Sequence, residues 1–127
     1  MNNADSDSDG IILPDFVKSS MTTNARKGYV YAAKYSDEMS QIPCFCGCGK
    51  HSGHKSVHDC FIAQDDPEKK NPLFDEHGAN CKMCVDIVID TVDGLNDGKS
   101  LKDVRNDIED HWKDDRDSMT PTPPIQA

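Results

Sequence analysis

Residues 79–95, with the sequence ANCKMCVDIVIDTVDGL, are the most regularly patterned stretch of this chain. Apolar side chains recur there at intervals of three and four residues, which places them on one face of an amphipathic helix. We therefore predict a helix from Ala79 to Leu95, ended by Gly94 and Gly98. The predicted apolar face comprises Cys81, Cys84, Val85, Val88, Val92 and Leu95.

Three further segments carry helical signals. Apolar residues recur at helical spacing between Thr22 and Met39, and Ser56 can cap a short helix over residues 57–62. Ser100, with Asp103 three residues later, resembles a capping box that opens a last helix over residues 101–112. The apolar patch over residues 11–17 is predicted to pack onto the domain, with Pro14 at the start of one helical turn.

These elements predict an all-α fold, a small domain of about four helices with a cysteine-rich loop. Only 35% of the 127 residues are hydrophobic, less than the 45–50% or so that is usual for globular proteins. The core should therefore be thin, and a covalent or metallic link should help to hold it. We expect one helical domain over residues 11–116, between a disordered tether (1–10) and a disordered, proline-containing tail (117–127).

The cysteine-rich loop lies between Gln41 and Gly53, where Pro43 and several glycines disfavour regular structure. It contains Cys44, Cys46 and Cys48, each separated by one residue. That spacing strains a disulfide within the run but lets neighbouring thiolates bind one metal ion.

The remaining cysteines are Cys60 in the short helix and the pair Cys81 and Cys84. The pair falls in the first turn of the predicted long helix, where the positive end of the helix dipole lowers thiol pKa values. Thiolates at neutral pH suit a soft metal ligand, a redox dithiol or a nucleophile alike, so position alone does not separate these roles.

Histidines follow the loop at His51, His54 and His58. Imidazole suits copper, zinc and nickel, and the adjacent thiols favour His51 and His54 as members of the site. The sequence gives weaker grounds for including His77, His111 or Met83.

The charge of the chain narrows the choice of partners. It has 23 Asp and Glu against 14 Lys and Arg, a formal net charge of −9. Nucleic acids and anionic membranes attract basic surfaces, so we expect neither to be a partner. No stretch reaches the roughly 20 apolar residues that span a bilayer. The polar residues 1–10 are typical of a tether that follows a removed signal or a lipid-anchored cysteine.

The run Pro43-Cys44-Phe45-Cys46-Gly47-Cys48-Gly49, followed by His51 and by Gly53-His54-Lys55-Ser56, resembles the PCYCGC-motif family of prokaryotic lipoproteins. Asp59-Cys60-Phe61, Cys81-x-x-Cys84 and Ser100-Leu101-Lys102 also resemble that family, over roughly residues 11–112. Phe45 replaces the tyrosine of the motif. The resemblance implies an exported, lipid-anchored domain whose cysteines and histidines form one site.

We therefore expect an extracytoplasmic metal-binding protein rather than an enzyme, attached to the membrane only through an N-terminal anchor absent from this chain. Thiolate-rich donors select Cu(I) first, with Zn(II) as the alternative, for storage, delivery or homeostasis of the metal, which includes transfer to a partner protein. The expected ligands are Cys44, Cys46, Cys48, Cys60, Cys81, Cys84, His51 and His54.

Two other interpretations of the same cysteines remain open. An even number of cysteines around a thin core is also typical of a disulfide-stapled module, which would link the loop cysteines to Cys60, Cys81 or Cys84. Cys81 and Cys84 would also serve a thiol-disulfide redox protein, although no alternation of strands and helices around them suggests a thioredoxin-like fold.

Overall fold

The structure, a computed structural model, describes residues 13–19, 24–45, 54–66, 72–120, 122 and 125. Within these residues the α-helices are α1 (Asp15–Lys18), α2 (Ala25–Lys34), α3 (Ser36–Met39), α4 (Val57–Phe61), α5 (Lys82–Asn96) and α6 (Leu101–His111). Two short strands, β1 (Ile62–Gln64) and β2 (Leu73–Phe74), form a sheet, and 3-10 helices cover Glu76–Asn80 and Lys113–Ser118. The fold is mostly helical, as predicted.

Helix α5 lies at the centre of the domain. Val85, Ile87 and Val88 are fully buried, and α2 and α6 both pack against the helix. One glycine allows the close approach of α6, because a Cβ at Gly94 would lie only 2.7 Å from the Val104 side chain of that helix.

The predicted long helix is confirmed, but its ends differ from the prediction. Residues 76–80 form a separate 3-10 helix, because the Asp75 side chain caps it by accepting a hydrogen bond from the backbone N–H of His77. Gly94 lies inside α5 rather than at its end, where its missing side chain makes room for α6. Gly98, with φ of +91°, adopts the left-handed conformation that follows the helix.

The helix predicted between Thr22 and Met39 is divided in two. Residues 22 and 23 lie outside the described residues, and Tyr35, with φ of −114° and ψ of 37°, separates α2 from α3. The division accounts for one of the helices beyond the four expected. The single turn α1 after Pro14 accounts for another, and it brings the predicted apolar patch into the core through Leu13 and Val17.

The two-stranded sheet was not predicted. β1 follows α4 directly and pairs with β2 antiparallel, with Ile62 opposite Phe74 and Gln64 opposite Leu73. Ile62 was expected to be the last residue of the short helix. Strands of two and three residues are too short to show a period of two in the sequence.

The predicted capping box is confirmed. The Ser100 side chain accepts a hydrogen bond from the backbone N–H of Asp103 at 3.1 Å. Helix α6 then packs on α5 through Val104 and Ile108, which are both buried.

Part of the segment predicted as a disordered tail packs against the domain. Thr120 and Thr122 are buried, and the guanidinium of Arg105 donates to the backbone carbonyl of Thr122 at 2.9 Å. At these positions the structure differs from the prediction, because threonine hydroxyls and backbone groups find partners that a polar composition does not reveal. None of the described helices is long and apolar enough to cross a membrane.

Candidate metal centre

Three cysteines from distant parts of the chain meet in the core. Cys44 follows α3, Cys60 lies in α4 and Cys84 lies in the first turn of α5. All three are fully buried, and their Sγ atoms lie within 4.8 Å of one another. We call these three residues the trithiolate group.

The closest two sulfur atoms are those of Cys44 and Cys84, at 2.9 Å. A disulfide bond is about 2.05 Å long, and the structure has both residues as thiols. With metal–sulfur bonds of about 2.3 Å, two sulfurs on one tetrahedral ion lie about 3.8 Å apart. A metal ion would therefore move these two sulfurs apart by about 1 Å.

The backbone of Cys44 is held by the C-terminal segment. Its N–H donates to Thr120 Oγ1 at 3.1 Å, and its carbonyl accepts from the Thr120 N–H at 2.9 Å. The Thr120 hydroxyl also contacts that of Thr122 at 2.7 Å. These bonds fix the loop at the residue where the three-cysteine run begins.

The start of α5 places two cysteines side by side. Cys81 is the N-cap residue and makes no side-chain capping bond, and Cys84 is the third residue of the helix. The positive end of the helix dipole favours a thiolate at either position. Cys84 is buried, whereas Cys81 is partly exposed.

A second group of ligand atoms shares Cys84. A ring nitrogen of His77 and the Sγ atoms of Cys81 and Cys84 lie within 4.8 Å of one another. We call these three residues the mixed group. His77 lies in the 3-10 helix before α5, so the sequence brings it close to Cys81 by a short connection.

A family model described as "Protein of unknown function with PCYCGC motif" matches residues 3–125. The chain belongs to this family. Comparisons with curated proteins and with solved structures gave no match. Phe45 occupies the tyrosine position of the motif and is buried; an apolar ring suits that position because a buried phenol requires a hydrogen-bond partner.

The residues that the structure describes include the PCYCGC motif only as far as Phe45. Cys46, Cys48 and His51, which the sequence predicts as ligands, lie outside the described residues. The predicted ligands that the structure brings together are Cys44, Cys60, Cys81 and Cys84. This cysteine cluster can hold a metal ion.

His54 lies beside the mixed group. Its ring is 5.3 Å from that of His77, measured between centroids, in an edge-to-face arrangement. Its Nε2 is 3.9 Å from a carboxylate oxygen of Asp75. Its Nδ1 is buried without a hydrogen-bond partner among the described residues. His54, which the sequence predicts as a ligand, thus lies against His77 of the mixed group.

His58 has a different environment. Its two ring nitrogens contact the carboxylates of Asp59 at 2.9 Å and Asp65 at 2.8 Å. Burial lowers the pKa of His58, but the hydrogen bonds and charges of Asp65 and Asp59 outweigh it and raise the pKa above 6.5. Both ring nitrogens of His58 therefore contact carboxylates rather than cysteine sulfurs.

His77 is a member of the mixed group that the sequence gave only weak grounds to include. It lies four residues before Cys81, outside the predicted long helix, so the helical pattern gave no reason to include it. A signal was present in Asp75, whose side chain begins a helical turn at this point.

Proposed function

We propose that this protein binds a soft metal ion in its cysteine cluster outside the cytoplasm, for storage, delivery or homeostasis of that metal. The observation that carries the proposal is the trithiolate group. Three sulfur ligands from three separate segments meet in the core, where an apolar fold would otherwise place carbon side chains. Buried thiolates need a cation to offset the loss of water.

Cu(I) is the metal that these donors suit best. The trithiolate group offers sulfur alone, and thiolates select Cu(I) over the harder divalent ions. Zn(II) is the alternative, because it also takes thiolates but in structural sites usually requires four ligands. Cys46 and Cys48 follow Cys44 by two and four residues in the sequence, and we propose that they complete the ligand set.

Delivery to a partner protein is supported by the uneven burial of the cysteines. Cys44, Cys60 and Cys84 are fully buried, whereas Cys81 at the start of α5 is partly exposed. A partner thiol would reach the metal first at Cys81 and exchange ligands from there. An extracytoplasmic, lipid-anchored location is supported by the polar residues 1–10 and by the resemblance to lipoproteins.

The test is Cu(I) binding to the reduced protein without oxygen, in competition with a chromophoric Cu(I) chelator, with Zn(II) measured in parallel. We expect Cys60→Ala to lower Cu(I) affinity at least about tenfold. The matched control is Val57→Ala, which shortens an equally buried side chain of the same helix without removing a ligand. Equal Cu(I) affinity in Cys60→Ala and the control would contradict the proposal.

A second candidate function is thiol-disulfide exchange, favoured by the 2.9 Å separation of the Cys44 and Cys84 sulfurs. In this reaction the two thiols become a disulfide while a partner disulfide is reduced to two thiols. The contact favours Cys44 with Cys84 over the predicted pair of Cys81 with Cys84. Mass spectrometry of the oxidised protein after digestion distinguishes the two pairings.

A further inference from the structure

The mixed group is a second set of candidate metal ligands. Two of its three members, His77 and Cys81, do not belong to the trithiolate group. The mixed group combines one imidazole and two thiolates within 4.8 Å. Such nitrogen and sulfur donors suit Zn(II) and copper. The two groups have Cys84 in common and no other described member.

The protein holds His77 in place through the backbone on both sides of it. The Tyr29 hydroxyl donates to the carbonyl of Asp75 and accepts from the N–H of Ala79 at 2.8 Å. The Asp75 carboxylate accepts from the N–H of His77 at 2.8 Å. A ligand that is fixed before the metal arrives costs little entropy when the metal binds.

His54 adds a further candidate ligand atom at this end of the cluster. Its Nδ1 is buried and has no hydrogen-bond partner among the described residues. Buried polar atoms in folded proteins nearly always have a partner. A buried nitrogen of this kind, on a ring that contacts His77, is a further candidate ligand beside the mixed group.

Charge also favours more than one ion. If the four described cysteines ionise, one Cu(I) leaves three negative charges in and beside the core, and a second cation reduces that excess. Buried charges are tolerated only when they are paired or bound to metal. The thiolate of Cys84 has several lone pairs, so one sulfur can bind two ions.

We propose that the centre holds two metal ions, one in the trithiolate group and one in the mixed group, with the sulfur of Cys84 bridging them. This inference rests on the proposed metal-binding function and adds His77 to its ligands. It assigns different chemistry to the two positions, because one offers sulfur alone and the other offers sulfur and nitrogen.

The test uses ¹¹³Cd(II), a soft closed-shell ion, bound to the reduced protein and counted by elemental analysis after removal of excess cadmium. We expect His77→Ala and Cys81→Ala each to bind one ion fewer than the native protein. Cys60→Ala should lose the other ion, and Cys84→Ala should lose both. His111→Ala, which removes an exposed histidine of α6, is the matched control and should keep the native count.

Bridging has its own spectroscopic signature. Two ¹¹³Cd nuclei joined by one sulfur split each other's NMR signals, and we expect this splitting in the native protein and its absence in His77→Ala. Circular dichroism of each variant checks that it is folded, and Cys81→Ala repeats the test at a second ligand of the mixed group.

The outcomes separate the two proposals. If the native protein binds cadmium and His77→Ala and Cys81→Ala both keep the full count, the second site is wrong while the metal-binding function stands. Loss of ions without any splitting in the native protein would contradict the bridge. A native protein that retains no cadmium would overturn both proposals.

Discussion

At the scale of single residues, Cys84 connects the parts of the site. It belongs to both the trithiolate group and the mixed group, and its place in the first turn of α5 follows from the helical pattern of residues 79–95. The sequence predicts Cys84 as one of six cysteine ligands, and that assignment stays a prediction. The sequence did not predict that the sulfur atoms of Cys44 and Cys84 would lie 2.9 Å apart, because that contact depends on how the cysteine-rich loop packs against the domain.

The docking of the loop depends on Thr120. We expect Thr120→Val to lower the free energy of unfolding by about 1–3 kcal/mol, because it removes the acceptor of the buried Cys44 N–H while keeping the shape of the side chain. Urea unfolding of the reduced protein measures the change.

The control for Thr120→Val is Thr91→Val in α5. Thr91 is also fully buried, but its hydroxyl donates only to the carbonyl of Ile87 in the preceding turn, so the loss should be smaller. If both variants lost the same free energy of unfolding, the hydrogen bond to Cys44 would contribute no more to stability than a hydrogen bond within a helix.

At the scale of elements, the 3-10 helix Glu76–Asn80 is an example of an element that sequence patterns do not predict. Five residues are too few for a helical period, and the element exists because of contacts with α2 and α4. Gly78 fits only because it lacks a side chain, since a Cβ there would lie 2.4 Å from the ring of Phe61. Contacts of this kind, between residues far apart in the chain, have no local signature.

The link between α2 and this 3-10 helix is Tyr29. Burial is the main cause that raises the pKa of its phenol above the ordinary value, so the hydroxyl stays protonated and bonded to Asp75 and Ala79. We expect Tyr29→Phe to reduce the free energy of unfolding by about 1–3 kcal/mol, because it leaves two buried backbone groups without this partner. Thermal and urea unfolding measure the loss.

Tyr35→Phe provides the comparison for Tyr29→Phe, because the Tyr35 hydroxyl makes no hydrogen bond within the described part of the chain. Its unfolding curve should match that of the native protein. If Tyr29→Phe were as stable as Tyr35→Phe, the 3-10 helix would not depend on the buried hydroxyl.

The outer face of α5 carries acidic residues at helical spacing. Partial burial and then the charge of Asp86, one turn away, raise the pKa of Asp90 above its ordinary value. A carboxyl with a raised folded pKa favours the folded state below its unfolded pKa, and this contribution is lost as pH rises through the folded value. Asp90→Asn should therefore stabilise the protein at pH 7.

The gain from Asp90→Asn should be a few tenths of a kcal/mol, because solvent screens the exposed charge. Denaturant unfolding at pH 7 measures it. Below the ordinary Asp pKa of about 3.9 the carboxyl becomes protonated in both states, so the difference should shrink as the pH falls through that range. Destabilisation by Asp90→Asn at pH 7 would contradict the assigned sign.

At the scale of the whole molecule, the proposed centre links segments that also share one buried hydrophobic cluster. The loop after α3, helix α4 and the start of α5 each contribute sulfur, and the C-terminal segment packs over the loop. The composition of residues 117–127 predicted a tail, but buried hydrogen bonds at Thr120 and Thr122 hold part of it against the domain. The fold class could be predicted from the periodicity of the helices, whereas the packing of Thr120 and Thr122 against the domain could not.

Metal should therefore stabilise the whole domain rather than one loop. A ligand that binds only the folded state adds about 2.7 kcal/mol to the free energy of unfolding when its free concentration is a hundred times its Kd. We expect a single unfolding transition that moves to higher temperature as Cu(I) or Zn(II) is added to the reduced protein. If the midpoint temperature of unfolding did not change at saturating metal, metal binding would not be coupled to folding and the prediction would be wrong.

The most direct test of the metal-thiolate centre is elemental analysis of protein purified without oxygen and without added metal, together with thiol titration before and after unfolding in a chelator. We expect copper or zinc in stoichiometric amount and thiols that react fully only after unfolding and chelation. A protein that binds no metal, even when metal is added under reducing conditions, and that has no titratable thiol would rule out the metal-thiolate centre and indicate a disulfide-stapled module.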